Sequence, residues 1–271
     1  MQEILLKNIS IDNEKYELNE FAYLKKIEDK TYLIINTGGM WETNLPLWIR
    51  SLQLAFPKVN LRMKSEDIGN QDIINAYTNS IINYYFKNEG DLDVDDKRID
   101  INQDGINHLI KVNCLIIDHN KENKEMRENG TWKPNRWIYT YNQYLNACNS
   151  LSIEISILNL ITALESLLVR GSGEISYRVR LFSSLVYSDT YEDRKEVADL
   201  VRGMYDLRSK VAHGEINEVI KRLSNPNIYN NYFKLKEICA DILIKLYDFD
   251  ELVIFNRLEE LLLTCPKFTN K

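Results

Sequence analysis

Residues 153–168, with the sequence IEISILNLITALESLL, decide the fold of the second half of the 271-residue chain. Large apolar residues recur there every three or four positions, at Ile153, Ile157, Leu160, Leu164 and Leu167. Residues at that spacing lie along one face of an α-helix. The stretch therefore predicts a helix whose apolar face packs against other helices.

Four further amphipathic helices follow it in the sequence. Gly171 and Gly173 close the first helix, and Gly214 ends or bends the third. Thr190, in a Ser-Asp-Thr run, offers the N-cap of the third helix. The apolar positions of the second and third helices are Tyr177, Leu181, Leu185, Val197, Leu200, Met204, Leu207 and Val211, and the last two helices span Ile228–Leu246 and Asp250–Leu263. Five such helices with short polar turns predict an antiparallel bundle over residues 143–271.

Residues 1–142 have a different, mixed pattern. Short runs rich in β-branched and aromatic residues at Ile4–Leu6 and Thr31–Ile35 predict strands, whereas residues 66–87 have helical spacing. The apolar run His108–Asp118 fits a strand or a helix, and residues 120–136 are polar and expected to form a loop. The predicted fold class is therefore α-rich α+β, with a mixed α/β N-terminal region before the helical domain.

Composition is typical of a soluble globular protein. Hydrophobic residues make up 44% and charged residues 27% of the chain, with only 10 Gly and 5 Pro, which argues against disorder. The N-terminus lacks the pattern of a signal peptide, and the apolar runs are shorter than the roughly 18 residues that a membrane span needs. We therefore expect a cytoplasmic protein without a membrane partner.

Charge and cysteine content narrow the possible ligands. The net charge of −6 disfavours broad binding to duplex nucleic acid, although a few arginines can still form a local RNA site. Cys114, Cys148, Cys239 and Cys265 are widely spaced and are expected to be buried free thiols. Because no ligands cluster at short spacing, we predict no metal and no cofactor.

Two segments before the helical domain have competing interpretations. The run from Asp100 to Gly105 matches the start of a calcium-binding loop, but Lys111 occupies the position that needs a bidentate Glu. We expect a solvated turn there and no calcium. Residues 131–141 interleave basic and aromatic side chains, which can stack single-stranded RNA or pack one domain against another. Packing is the interpretation that we favour.

A short motif, Arg-Ser-Lys-Val-Ala-His, occupies residues 208–213 and directly precedes Gly214. With residues 160–168 and 174–180, it resembles the ApeA-like branch of the HEPN superfamily, over residues 145–250. Members of that superfamily are small helical bundles, and many are ribonucleases of toxin–antitoxin, phage-defence and CRISPR systems. Their signature is an Arg, four to six intervening residues and a His. The resemblance therefore implies that Arg208 and His213 are catalytic.

These two residue types suit RNA cleavage by the neighbouring 2′-hydroxyl. Histidine transfers protons near neutral pH, because its ordinary pKa is about 6.5. Arginine binds phosphate through a planar, bidentate fork. The route that the resemblance implies needs no metal and leaves a 2′,3′-cyclic phosphate and a 5′-hydroxyl.

The spacing of the motif favours a site shared by two protomers. Residues five apart on an ideal helix are separated by about 140° around its axis, so Arg208 and His213 do not face one narrow pocket of a single helix. A cleft between two copies accommodates both residues. HEPN ribonucleases are similar in placing the motif at a dimer interface, and we predict a homodimer.

Supporting residues are also suggested. Glu165 is either a partly exposed surface residue or, as we favour from the resemblance, a carboxylate that orients Arg208 or His213. Ser209 and Lys210 lie beside Arg208 in the sequence and are candidates for holding phosphate. Arg178 and Arg180 bind RNA backbone or are ordinary surface arginines, and Tyr205 and Asp206 are expected to pack and cap locally.

The leading hypothesis is a metal-independent endoribonuclease that acts on tRNA or mRNA in phage defence or as a regulated toxin. An antitoxin or a phage-derived trigger is a possible further partner. The N-terminal region is then a sensor, a positioning module or an inhibitory cover. A non-catalytic HEPN module that binds RNA or dimerises is the alternative, and an accidental motif in a structural helical protein is a third.

Overall fold

The computed structural model describes residues 2–6, 9–35, 41–58, 61–63, 98–131, 135–150, 152–171 and 173–263. The chain divides into two compact units, Met1–Lys133 and Pro134–Lys271. The described part is rich in helix and contains a five-stranded sheet and one further strand pair, which confirms the α-rich α+β class. The helix predicted over residues 66–87 lies outside the described residues.

The first unit contains a five-stranded antiparallel sheet. Its strands are β1 (Gln2–Leu6), β3 (Lys15–Glu17), β4 (Ala22–Ile27), β5 (Lys30–Ile35) and β6 (Leu61–Met63), in the spatial order β3-β4-β5-β1-β6. A separate parallel pair is formed by β2 (Ile9–Ile11) and β7 (Ile99–Ile101). The predicted strands at Ile4–Leu6 and Thr31–Ile35 are confirmed as parts of β1 and β5, which pair with each other.

Two helices accompany these strands in the described part of the first unit. α1 (Trp41–Ala55) buries Trp48 and Leu52 and packs against α2 (Gln103–Glu128). Asn102 caps α2, because its side-chain oxygen accepts a hydrogen bond from the Gly105 amide at 3.1 Å. Of the two structures that fit the run at 108–118, the helix is therefore the one that forms.

The loop predicted over residues 120–136 is wrong for most of its length. α2 continues to Glu128, although its last buried residue is His119. Strong helix formers fill the exposed half, and Lys124 forms an ion pair with Glu128 at 3.8 Å, one turn away. Apolar periodicity marks buried faces, so it does not reveal a helix that extends away from the core.

Two smaller expectations for the first unit are also wrong. The turn expected from Asp100 to Gly105 is the junction of β7 and α2: Asp100 lies in the strand, and Asp104 lies in the first turn of the helix. Cys114 is exposed on α2 rather than buried. Cys148 and Cys239 are buried free thiols as predicted, and burial raises the pKa of both.

The second unit has seven helices in the part of the chain that is described. They are α3 (Arg136–Cys148), α4 (Ile153–Leu168), α5 (Ile175–Tyr187), α6 (Tyr191–Ala212), α7 (Ile216–Leu223), α8 (Ile228–Lys245) and α9 (Glu251–Leu263). α4 is central, since it contacts α3, α5, α6 and α8. Its predicted apolar face is confirmed at Ile157, Leu160, Leu164 and Leu167, all buried.

α3 contains the end of the basic and aromatic segment. Arg136 donates hydrogen bonds to the carbonyls of Ser166 and Val169, at 3.1 and 2.8 Å. The indole N–H of Trp137 donates to the Leu243 carbonyl at 2.8 Å. These side chains pack within the second unit. The predicted domain boundary between residues 142 and 143 falls inside α3, whose aromatic composition hides its helical spacing.

α5 and α6 differ in detail from their predicted apolar faces. Val197, Met204 and Leu207 of α6 are buried as predicted, and Leu200 is only half-buried. Tyr177, expected among the apolar positions of α5, is 48% exposed. That exposure places its ring on the surface of the second unit.

Candidate functional site

The candidate site begins where α6 ends. The amide of Gly214 donates to the Val211 carbonyl at 3.2 Å, and the amide of Glu215 donates to the Lys210 carbonyl at 3.0 Å. These two bonds, with Gly214 at φ +71°, form a Schellman motif. His213 is the C-cap residue, immediately after the last helical residue. The helix thus ends at the Gly that the sequence indicated.

Arg208 lies at the edge between α6 and α4. Its Nη2 donates to Glu165 Oε2 at 2.9 Å, and the two side chains are 27% and 17% exposed. The Arg208 Nε is buried and has no hydrogen-bond partner among the described residues. Since a buried polar atom without a partner is uncommon, this donor is a candidate for binding a ligand oxygen.

Tyr205 joins Arg208 and Glu165 in one small network. The Arg208 guanidinium lies 5.6 Å from the centre of the Tyr205 ring. Burial, together with a hydrogen bond to the Glu165 carboxylate, raises the pKa of Tyr205. The Tyr205 hydroxyl therefore stays protonated at neutral pH. The sequence assigned Tyr205 only a local packing role, and its contact with Glu165 was not predicted.

His213 has different surroundings. Its ring is exposed, and its backbone amide bonds to the Ser209 carbonyl at 3.0 Å. Within the described residues the ring has no hydrogen-bond or ionic partner. Ideal helix geometry separates Arg208 and His213 by about 140° around α6. The two residues of the motif therefore share a helix end without sharing a pocket in one chain.

The other residues near the motif are bonded locally. The Lys210 ammonium binds the Glu215 carboxylate at 3.0 Å, and this hydrogen bond raises the pKa of Lys210. Ser209 is half-buried. Asp206 forms an ion pair with Arg222 of α7, a contact that the sequence did not indicate. This ion pair ties α7 to the outer side of α6.

Arg178 and Arg180 lie on α5 with separate roles. Arg178 donates to the Arg170 carbonyl at 2.8 Å, which braces the turn before α5. Arg180 lies with its guanidinium 5.0 Å from the centre of the Tyr177 ring. Arg180 lines an open groove of about 790 Å³, whereas Arg178 does not.

The groove runs between α5 and α6 and includes residues that the sequence did not single out. Its lining comprises Glu174, Ile175, Ser176, Tyr177, Arg180, Arg202 and Tyr205. Arg202, Tyr205 and Arg208 are three residues apart along α6, and this spacing is the only sequence signal for Arg202. Tyr205 therefore belongs both to the groove and to the network around Arg208.

Two properties of the described residues bear on the class of site. Among the described residues, no three His, Cys, Asp or Glu side chains are grouped to bind a metal ion. No helix in the described ranges is both long and apolar enough to cross a bilayer.

No protein-family model matches the chain, and no curated protein or solved structure matches it either. The relation to the HEPN superfamily is therefore a resemblance that rests on the motif and the helices around it.

Proposed function

We propose that the protein is a metal-independent endoribonuclease of the HEPN type. The observation that carries the proposal is the Arg208–Glu165 pair at 2.9 Å, beside a helix end that presents His213 to solvent. Cleavage by the 2′-hydroxyl requires two groups. One is an Arg that binds phosphate and is held in place by a carboxylate, and the other is a histidine that is free to transfer protons.

The proposed roles follow from these surroundings. Arg208 binds the scissile phosphate with the N–H groups that Glu165 leaves unused. His213 takes the proton of the 2′-hydroxyl as that oxygen attacks the phosphorus while water protonates the departing 5′-oxygen, or water takes the first proton and His213 delivers the second. Glu165 is a positioning residue, and Ser209 and Lys210 are proposed to extend the phosphate site, Lys210 after release from Glu215. The products are a 2′,3′-cyclic phosphate and a 5′-hydroxyl.

In the proposed homodimer, Arg208 of one protomer and His213 of the other lie close together. Ile216 and Ile220 of α7, which follow His213 closely, are 69% and 58% exposed. Exposed apolar residues next to a functional motif favour a protein interface. A second copy packed on this surface brings its His213 toward the Arg208 of the first. In this proposal, the active site forms only in the dimer.

The alternative function is a non-catalytic module that binds RNA or dimerises. The lack of a described partner for the His213 ring favours it, because catalytic histidines are usually oriented by a third group. The two functions differ in one measurable property, which is bond cleavage.

The test is incubation of the purified protein with labelled RNA in EDTA. We expect cleavage by the wild type with 2′,3′-cyclic phosphate ends, and a loss of about 10²-fold or more in Arg208→Ala and in His213→Ala, as for removal of a general acid–base group. Arg257→Gln, an exposed charge change on α9, is the matched control and retains activity. Binding without cleavage by the wild type supports the alternative module and contradicts the proposed enzyme.

A role in phage defence or as a regulated toxin belongs to the same proposal. Such enzymes act in the cytoplasm on tRNA or mRNA and are held in check by an antitoxin or by the absence of a phage-derived trigger. Growth arrest on expression, relieved by His213→Ala, is the expected result. Equal growth of cells that express the wild type and this variant at matched levels contradicts the role as a free toxin.

A further inference from the structure

The groove between α5 and α6, the Tyr177 groove, is lined by Tyr177, Arg180, Arg202 and Tyr205. We propose that this groove binds a nucleotide of single-stranded RNA. This inference rests on the proposed function, for which it supplies a substrate-binding subsite next to Arg208. The volume of about 790 Å³ accommodates a group of that size.

The charge of the groove favours a phosphate. Among the described residues, neither Arg180 nor Arg202 has an ion pair or a hydrogen bond, whereas Arg136, Arg208 and Arg222 each bind a carboxylate. Unpaired guanidinium groups retain their donors for a phosphate oxygen. The two arginines outnumber the one carboxylate of the lining, Glu174, in a chain whose net charge is −6.

The aromatic content of the groove favours a base. Tyr177 is 48% exposed, and Arg180 lies 5.0 Å from its ring centre. The Arg180 guanidinium lies over one face of the Tyr177 ring, so a base stacks without sequence preference on the opposite face of the ring or on the outer face of the guanidinium. Duplex nucleic acid does not present its base faces to such a groove, so the ligand is single-stranded.

The position of the groove links it to the proposed cleavage. Tyr205 lines the groove, and its ring centre lies 5.6 Å from the Arg208 guanidinium, which binds Glu165 at 2.9 Å. A strand whose nucleotide occupies the groove thus passes close to Arg208 with a neighbouring phosphate. The groove positions the strand, and the motif acts on the adjacent linkage.

The experiment measures binding apart from cleavage. The probe is a short labelled 2′-O-methyl oligoribonucleotide of mixed sequence, which lacks the nucleophilic hydroxyl and stays intact. Fluorescence anisotropy with the full chain gives its affinity at several salt concentrations. The variants are Arg180→Gln, Arg202→Gln, Tyr177→Leu and Tyr177→Phe. Arg257→Gln is the matched control, because Arg257 also lies over an aromatic ring, Phe249, and also loses one charge.

We expect Arg180→Gln and Arg202→Gln each to lower the salt dependence of log affinity by about 0.7, the value for one phosphate contact on a single strand. Tyr177→Leu weakens binding about tenfold, and Tyr177→Phe restores it because stacking does not need the hydroxyl. Arg257→Gln binds like the wild type.

The inference is overturned if the wild type does not bind the probe, or if the groove variants bind it as tightly as Arg257→Gln. The second result leaves the proposed enzyme intact when unmodified RNA is still cut. Conversely, groove-dependent binding without cleavage of unmodified RNA supports the inference and contradicts the enzyme.

Discussion

Arg208 and His213 belong to one motif on one helix, yet their side chains differ in burial and in bonding. Arg208 is three-quarters buried and bonded to Glu165 of α4 at 2.9 Å. His213 is exposed at the end of α6, and among the described residues only its backbone forms hydrogen bonds. Within the described residues, the chain thus holds the side chain of Arg208 in place and does not hold that of His213. This difference is what a site shared by two protomers requires.

The largest expected effect comes from mixing two inactive variants. Arg208→Ala lacks the phosphate ligand, and His213→Ala lacks the proton-transfer group, so each homodimer cuts RNA about 10²-fold or more slowly than the wild type. A heterodimer still has one Arg208 and one His213 that face each other. We expect the mixture to regain a substantial part of the wild-type rate, measured on labelled RNA in EDTA.

The mixing experiment has its own control. Each variant is also assayed alone at the same total concentration, and native mass spectrometry, which separates the heterodimer from the two homodimers by mass, shows whether the protomers exchange. If heterodimers form and the rate stays at the level of the single variants, the two residues do not act across an interface. The difference between a bonded Arg208 and an exposed His213 then does not reflect a site shared by two protomers.

A smaller effect is expected when the support of Arg208 is weakened. Glu165→Gln keeps the size of the side chain but removes the charge that Arg208 binds at 2.9 Å. We expect the cleavage rate to fall about tenfold, because a loosely held Arg reorganises on binding phosphate. The free energy of unfolding, measured by urea denaturation, falls by about 1–2 kcal/mol as the partly buried Arg208 loses its partner.

A positioning role differs from a merely structural role in its kinetic signature. Glu165→Asp retains the carboxylate and is expected to recover part of the rate, while its stability need not recover. A rate that follows stability alone across both variants contradicts the positioning role of Glu165.

Features that depend on neighbouring positions in the chain could be predicted from the sequence. Ile157, Leu160 and Leu164 mark α4 because burial on one face imposes helical spacing. Gly214 predicts the end of α6 because helices commonly end at a Gly with positive φ, and the structure places Gly214 at φ +71°. Both features depend on a few neighbouring positions in the chain.

Features that depend on contacts between distant segments of the chain were not predicted. The Tyr177 groove brings α5 and α6 together, and nothing in the sequence near Arg202 indicates which ring lies across from it. The contact of Tyr205 with Glu165 depends on the packing of α6 against α4. The Arg-to-His spacing itself carries little weight, since composition alone yields an Arg five residues before a His in about one chain in seven, and allowing four to six intervening residues roughly triples that chance.

A still smaller effect tests the helix end that presents His213. Gly214→Ala forces a side chain into φ +71° and is expected to destabilise the protein by about 1 kcal/mol. Because the Schellman motif sets the backbone position from which the His213 side chain extends, cleavage falls as well. Gly130→Ala, at φ +65° in the first unit, imposes the same strain away from the motif. It is expected to cost similar stability and to leave cleavage unchanged, and equal cleavage by both variants contradicts the role of the cap.

The smallest expected effect is a gain in stability that leaves both motif residues untouched. Gly203 lies inside α6, and a Cβ added there meets no atom within 4 Å. Gly203→Ala should therefore raise the free energy of unfolding by about 0.5–1 kcal/mol, because Ala loses less conformational entropy in a helix. Urea denaturation measures the gain. Gly105→Ala is the contrast, since its Cβ meets Ile101 at 2.8 Å and should destabilise α2.

Cleavage by Gly203→Ala should equal that of the wild type, because a more stable α6 changes neither the Glu165 bond of Arg208 nor the exposure of His213. A clear change in rate would mean that the two residues depend on motion within α6 as well as on their surroundings.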